Sequence, residues 1–518
     1  VHRPDGSWMN DVHVSDWSGT TVFAAIALYE AVHYHGHLLD DSTRNHWKEQ
    51  LLEAGEFMMK NPQMYSRRMQ GSMKRLNNVN YSASVTYALQ ALGEMFDRPD
   101  FKEEARIVAS DLKKFFTAND FFLYGEGPKI WTPTKNGCLP VDLGYNVEES
   151  LPNLAYYALM VNDRELLSIV ERSMNTHLDN SWGTRSFKWT YWGGRTSDGF
   201  MGGYYAMAAH HPEYLEAIRR NIQLLKKSTD NGLLHAGRDY RASGIPACIH
   251  HTFGHAKALT AFLELPPVKT QQYKALPRDN AYGVKYFRDI RTWLVAEGPW
   301  RSTCTGFDAE YKVKGTHPMG GAVSLLWHEQ AGPVFAATTN RYALIEAPNM
   351  QSNSRKYIMS GTPRVEMVQY GTIYSNLDDL DADIVYTQEK DKHRFHINTH
   401  LVDADQQTPV QGAFPVTLDY VYSKQGMSIV VDYCPLTACL VLPVIAAPSE
   451  VVDITSKGML LQKKEGVLEI ICVNGMLKVA PTDEDGRIFN PVPGFSFVPL
   501  QIFPEGENKK IQIEITYN

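Results

Sequence analysis

Side chains able to move protons gather in this chain at the head of small-residue apolar runs. The run GYNVEESLPNLAYYALM opens with Tyr145, Asn146, Glu148 and Glu149. Two adjacent glutamates leave a helix in different directions, so at most one faces inward. Carboxylates at a helix N-terminus are stabilised by the helix dipole. Capping is therefore the plain alternative to a general acid or base working in a cleft. Pro152 fits only a first helical turn, which fixes where this helix starts.

A second cluster, WGTRSFKWTYWGGRTSDGFMGGYYAMA, sets Phe187, Trp189, Tyr191 and Trp192 around Lys188 and Arg195, before Asp198 opens a helix. Aromatic faces stack on sugar rings and cations pair with sugar carboxylates. Asp198 also fits as an ordinary N-cap. A third, ACIHHTFGHAKAL, carries His250, His251 and His255. His251 and His255 are four apart and share a helix face. That is metal-ligand spacing, yet HEXXH is absent and no acidic third ligand lies nearby in sequence. The readings are a proton shuttle or carboxylate neutraliser, or else hydrogen-bonded structural histidines, and no metal is assigned. A fourth group, NDVHVSDWSG with NNVNYSAS, offers Asp11, His13, Asp16, Trp17, Asn78, Asn80 and Tyr81 as a polar rim. GxSxG, the P-loop and GxGxxG do not occur, so neither serine hydrolysis nor nucleotide chemistry has support and no cofactor is assigned.

These clusters need elements to hold them. Segments beginning at Ser15, Asn80, Gly144, Arg195 and His250 are each apolar nearly all round, the pattern of a helix buried on all sides. Between them stand amphipathic, charged segments from Ser42, Asp100, Asp163 and His211, with Ser42 read as an N-cap. Alternation of inner and outer helices through short connections gives antiparallel hairpins. Hairpins so repeated, with inner members too apolar to face water, predict a closed double ring, an (α/α)5–6 toroid. The segment NAYGVKYFRDIRTWLVAEG from Asn280 reads as a last outer helix. With parallel inner helices, their polar N-termini converge on one face.

Beyond about Gly298 the period changes to short alternating runs such as AVSLLWHE, RFHINTHLVD, MSIVVDY and IQIEITYN, punctuated by turn residues. This predicts an antiparallel β-sandwich. The expected organisation is an α/α-toroid catalytic domain over residues 1–297 and a β-sandwich domain over 298–518. The sandwich supports the toroid and lends at most a residue such as His317 or His328, both of which fit structural roles better.

Bulk properties narrow the class. A chain of 518 residues exceeds one ordinary domain. A net charge of −7 with a pI near 6.2 argues against a nucleic-acid partner. No apolar run is long enough to insert in a membrane. The six cysteines are scattered, with neither CxxC nor zinc spacing, so they form no disulfide scaffold. The first residue is Val1, consistent with a leader removed by processing.

GYNVEESLP, WTYWGGRTSDG, CIHHTFGHAKAL and HPMGGAVSLLWHEQAGPVFAATTNRYALIEAPNMQ carry a resemblance that spans most of the chain. It is to two-domain toroid-plus-sandwich enzymes acting on uronic-acid polysaccharides. The relatives are a group of bacterial polysaccharide β-glucuronidases and the heparinase II/III-like lyases. The chain departs from the lyases in lacking a clear extended N-terminal arm and in its Glu148–Glu149 pair. The resemblance implies a uronic-acid-containing glycan as substrate and a periplasmic or secreted setting. Toroid rims also serve as surfaces for homo-oligomers.

The leading expectation is a glycoside hydrolase that removes terminal glucuronic acid. Glu148 or Glu149, with Asp198, would supply the two carboxyl groups hydrolysis needs. Arg195 or Lys188 would hold the sugar carboxylate, and Trp189 and Trp192 would stack on the ring. His250, His251, Asn80, Asn146, Asp16 and Trp17 would complete the binding surface. The alternative is a polysaccharide lyase. There Tyr145 or Tyr204 and His251 or His255 would act as base and acid, with Asn80, Asn146 or Arg195 neutralising the uronate. A sugar-binding protein without turnover is the third reading.

Overall fold

The computed structural model describes residues 1–9, 18–65, 67–69, 72–75, 78–126, 132–184, 202–227, 229–230, 233–234, 239–244, 260–267, 275–309, 317–338, 355–491, 494–506 and 509–518. Helices dominate up to residue 265 and antiparallel strands dominate from Gly283 onward.

The helical part is built from hairpins. Helices α1 (Thr21–His35) and α2 (Asp41–Lys60) form one, and α3 (Val79–Met95) and α4 (Pro99–Leu112) the next. A short turn α5 (Leu143–Tyr145) and a π-helical turn (Asn146–Ser150) lead into α6 (Leu151–Val161), which pairs with α7 (Arg164–Thr184). Helix α8 (Gly202–Met207) pairs with α9 (Tyr214–Lys227). Helix α3 shows why the apolar segments lie inside: Ser82 through Gly93 are all buried, and that run is made of small and apolar residues. Two of the amphipathic partners, α2 and α7, begin on acceptors that satisfy orphan N–H groups. Asp40, rather than Ser42, caps α2 by accepting from the Thr43 N–H at 2.9 Å. The Asp163 carboxylate accepts from Leu166 N–H at the start of α7.

The inner helices run parallel. Phe23 near the start of α1 packs on Tyr81 near the start of α3, with ring centroids 5.3 Å apart. Asn153 in the first turn of α6 donates to Ser84 of α3 at 2.8 Å. Gly203 of α8 lies so close to Pro152 of α6 that a Cβ there would stand 2.9 Å from the proline Cα. Tyr205 then packs on Phe262, in a further helical segment over residues 260–264, with centroids 4.7 Å apart. At the other end, Glu264 meets His35 of α1 at 3.1 Å. The series of inner elements thus returns to its start, the α/α toroid that helix periodicity predicts, with N-terminal tips on one face.

The segment expected as a last outer helix is instead a pair of strands. Gly283–Phe287 and Thr292–Glu297 pair antiparallel and open a five-stranded meander completed by Trp300–Thr305, Ala322–His328 and Gly332–Ala336. Valine and aromatic residues at Val284, Tyr286, Trp293 and Val295 fit a pleated surface better than a helix. Arg291, in the left-handed region at φ 43°, turns one strand into the next. A six-stranded sheet is centred on Ala438–Ile445 and Phe495–Phe503. An eight-stranded sheet runs from Asp383–Glu389 at one edge to Val452–Thr455 at the other. One apolar core joins all three sheets, with Trp293 and Val323 from the first, Leu440 and Leu500 from the second, and Phe395, Leu418 and Ile513 from the third. The β-part is therefore a layered antiparallel sandwich, held by the side chains that alternate inward.

Candidate active site at the inner-helix tips

Three chain segments meet where α3 and α6 begin. Asn80, in the first turn of α3, is almost wholly buried. Its side-chain Nδ2 donates to Glu149 Oε2 at 2.9 Å, and its Oδ1 accepts from the Tyr81 N–H at 2.9 Å. Its backbone N–H donates to Glu126 Oε1 at 2.9 Å. Glu126 is fully buried, and its carboxylate receives an orphan amide at a helix N-terminus, where the dipole favours negative charge. The N-cap of α3, Asn78, makes no side-chain cap bond, so Glu126 supplies the acceptor from outside the helix.

The Glu126 segment is tied to both neighbours. Val79 N–H donates to Gly125 O at 3.1 Å, and both Gly125 and Glu126 donate to Pro140 O. Asn146 is fully buried, and its side-chain amide donates to Leu123 O at 3.0 Å. Asp142 caps the turn α5 by accepting from Gly144 and Tyr145 N–H groups. The π-turn over Asn146–Ser150 precedes Pro152, whose missing N–H cannot close the ordinary helical bond. This wider turn carries Glu148 and Glu149, both half-buried, and directs Glu149 onto Asn80.

The structure thus brings Asn80 and Glu149 into contact and places Tyr145, Asn146 and Glu148 on the same helix start. Tyr145 is largely buried, with Asn146 turned toward the loop below rather than outward. Tyr204 is buried at the start of α8 and its hydroxyl donates to Met174 O at 2.9 Å, a packing bond. His317 Nε2 lies 2.7 Å from Phe307 O, and His328 Nδ1 accepts from Gln330 and Ala331 N–H groups. His328 also packs between Trp300, edge-on, and Tyr517, tilted. Asp16, Trp17, Lys188, Trp189, Trp192, Arg195, Asp198, His250, His251 and His255 lie outside the described residues, as do Asp11 and His13. Among the described residues no His, Cys, Asp or Glu cluster could hold a metal ion. Glu126 is the member of the site that sequence reasoning missed, because FLYGEGPK carries neither helix periodicity nor a spaced partner.

Asn80 is thus held by two carboxylates where α3 and α6 begin, Glu126 on its backbone amide and Glu149 on its side-chain amide. Residues 1–279 match the ulvan lyase N-terminal domain and residues 284–518 match the ulvan lyase C-terminal domain. This chain belongs to the ulvan lyase family and is a polysaccharide lyase. It is 36% identical over 536 residues to a broad-specificity ulvan lyase of Formosa agariphila, covering 100% of this chain and 82% of that protein. Solved structures with a similar outline include the heparan sulfate lyase HepC of Pedobacter heparinus, at TM-score 0.47 and 9% identity over 98% of this chain and 70% of that one. Another is the chondroitin AC lyase of Streptomyces coelicolor A3, at TM-score 0.45 and 10% identity over 95% and 66%. At those scores neither bears on function.

Family membership corrects the leading expectation from the sequence. The chain is not a glycoside hydrolase and does not group with the β-glucuronidases; the full-length lyase relative and both domain matches overturn that reading. The expectation went astray by giving Glu148 or Glu149, with Asp198, the two carboxyl roles of hydrolysis. Glu149 is engaged in holding Asn80.

Proposed function

We propose that this chain cleaves ulvan by β-elimination at the uronic acid, with the tips of α3 and α6 as part of the active site. The observation that carries the assignment of place is the Asn80–Glu149 contact, which presents a fixed amide where the inner helices converge. The amide nitrogen has two hydrogens, and only one is needed for Glu149. The other is a donor for the carboxylate of a bound uronate. Hydrogen bonding to that carboxylate stabilises the negative charge that builds up as the C5 proton is removed.

Elimination then proceeds with the C5–H and C4–O bonds breaking and a C4=C5 double bond forming. The C5 proton goes to a base and the departing oxygen takes a proton from an acid, so no water is consumed. Tyr145, on the same helix start as Glu149, is our choice for one of these roles, with His251 or His255 for the other. Arg195 and Lys188 join Asn80 as partners for the acid groups of the polymer, and Trp189 and Trp192 as stacking platforms. A polymer is met outside the cytoplasm, so a periplasmic or secreted setting belongs to the same reading and cell fractionation checks it.

The test is incubation with ulvan while near-ultraviolet absorbance is followed. Elimination yields an unsaturated uronate at the new chain end, and absorbance rises with each cut. Chain shortening without a rise in absorbance would refute the proposal.

A further inference from the structure

The site rests on an apolar cluster shared between the two parts of the chain. Phe122, Cys138, Val141 and Leu143 come from the segments beside Glu126 and Asp142, while Phe287, Ile290, Phe307 and Ala309 come from the β-part. All are buried. Two β-part carboxylates flank this cluster and grip the Glu126 segment on either side. Asp289 accepts from the backbone N–H groups of Asn119 and Asp120 at 2.9 and 2.7 Å and from Asn119 Nδ2 at 2.6 Å. Its own N–H donates to Asp120 Oδ2 at 2.8 Å. Asp308 is nearly buried and accepts from Thr134 Oγ1 at 2.5 Å and from Asn136 N and Nδ2, both at 3.0 Å.

The Asp308 contacts lead directly to the site. Thr134 Oγ1, while donating to Asp308, accepts the Cys138 N–H at 3.0 Å, which closes a tight turn. That turn delivers Pro140, whose carbonyl receives the Gly125 and Glu126 N–H groups. Glu126 in turn holds the Asn80 backbone, and Asn80 holds Glu149. A buried carboxylate that takes three hydrogen bonds has little freedom to move, because losing any one leaves a desolvated polar group unpaired. The series is continuous, polar and short, from a β-part residue to the tips of α3 and α6.

We propose that Asp308 is a positioning residue for the reaction: through the Thr134–Cys138 turn and Glu126 it sets where the Asn80 amide stands, so the β-part determines the geometry of the helical active site. This rests on the elimination proposed above and goes beyond it by making an apparently supporting domain part of the catalytic alignment. The dependence is one of geometry, and small displacements of a transition-state donor are costly in rate.

The experiment compares Asp308→Asn, which keeps the shape but replaces an acceptor with a donor, in the native and the Asn80→Ala backgrounds. In the native background kcat for ulvan elimination should fall about tenfold or more with KM within about twofold, whereas in Asn80→Ala the same change should cost less than about twofold. Hydrogen exchange gives an independent readout, since the Asn80 amide is held by Glu126. It should exchange faster in Asp308→Asn, with the amides of α9 unchanged. Equal fold losses in the two backgrounds, or unchanged exchange at Asn80, would overturn the proposal. The exchange comparison decides if Asn80→Ala leaves no measurable rate. Thr134→Val, which removes one of the three bonds, serves the same comparison if Asp308→Asn does not fold. Absence of elimination in the native chain would sink the functional reading, while exchange at Asn80 would still report whether Asp308 positions it.

Discussion

Asn80 and Glu149, 69 residues apart in sequence, meet at 2.9 Å because α3 and α6 begin side by side. The bond holds the amide in one orientation, and its second hydrogen is the one we propose for the uronate carboxylate. Replacing Asn80 with Ala should lower kcat for elimination by about 10²–10³ while KM changes little, as expected for a donor that matters most in the transition state. Asn80→Asp should be as slow and also less stable, since it sets a second carboxylate against Glu149. Steady-state kinetics on ulvan check both; native rates in Asn80→Ala would remove the amide from the mechanism.

Glu126 is buried beneath the first turn of α3 and accepts the Asn80 N–H. Glu126→Gln retains an acceptor but loses the favourable charge at the helix N-terminus, at a cost of about 1 kcal/mol. Glu126→Ala leaves the amide unsatisfied and should cost about 2–3 kcal/mol. Urea unfolding should rank native, Gln and Ala in that order of stability. Elimination rates should follow the same order.

His177 gives the fold a sensitivity to mild acid. Its ring is fully buried against Phe122, Nδ1 lies 2.7 Å from Ser173 O, and Nε2 has no hydrogen-bond partner among the described residues. Burial lowers its pKa from 6.5 to about 4. Between those values the unfolded chain binds a proton that the folded chain refuses. The contribution to stability is therefore complete above pH 6.5 and is lost as pH falls toward 4, by up to about 3 kcal/mol. Urea midpoints measured across this range should fall with pH, and His177→Leu should flatten the slope. An unchanged slope in that variant would place the acid sensitivity elsewhere.

Gly320 adopts a left-handed backbone at φ 51°, and a Cβ there would stand 1.8 Å from the Asn376 carbonyl oxygen. Gly320→Ala combines backbone strain with a clash against main chain, so it should cost about 3 kcal/mol or more. The loss should appear as a lower melting temperature in the β-part, read by near-ultraviolet circular dichroism. A melting temperature equal to that of the native chain would refute this.

The ring of helices was legible because its signals are local. Apolar runs alternate with amphipathic ones, and Pro152 marks the start of α6 within one residue of where it begins. The Asn280 segment was misread because charged residues at Lys285, Arg288, Asp289 and Arg291 imitate an outer helix, whereas the deciding features are strand pairing and the left-handed turn at Arg291. Glu149 and Asn80 were visible as residue types in polar clusters, but their contact is a product of tertiary packing. Glu126 had no local signature at all: its partner lies 46 residues away and its neighbours are turn-forming glycines. Chemistry was misassigned for a related reason, since a glutamate at a helix start does not reveal in sequence that its carboxylate already holds an amide.

The meeting of His35 with Glu264 has a consequence for how the molecule is made. The two residues are separated by 229 positions, so a helix synthesised early has to wait for one synthesised much later before its flank is covered. Contacts of such long range are slow to form, and the flank stays open to wrong partners in the meantime. Opening this seam by His35→Ala should therefore show its largest effect in the yield of refolded protein rather than in the activity of molecules that have already closed.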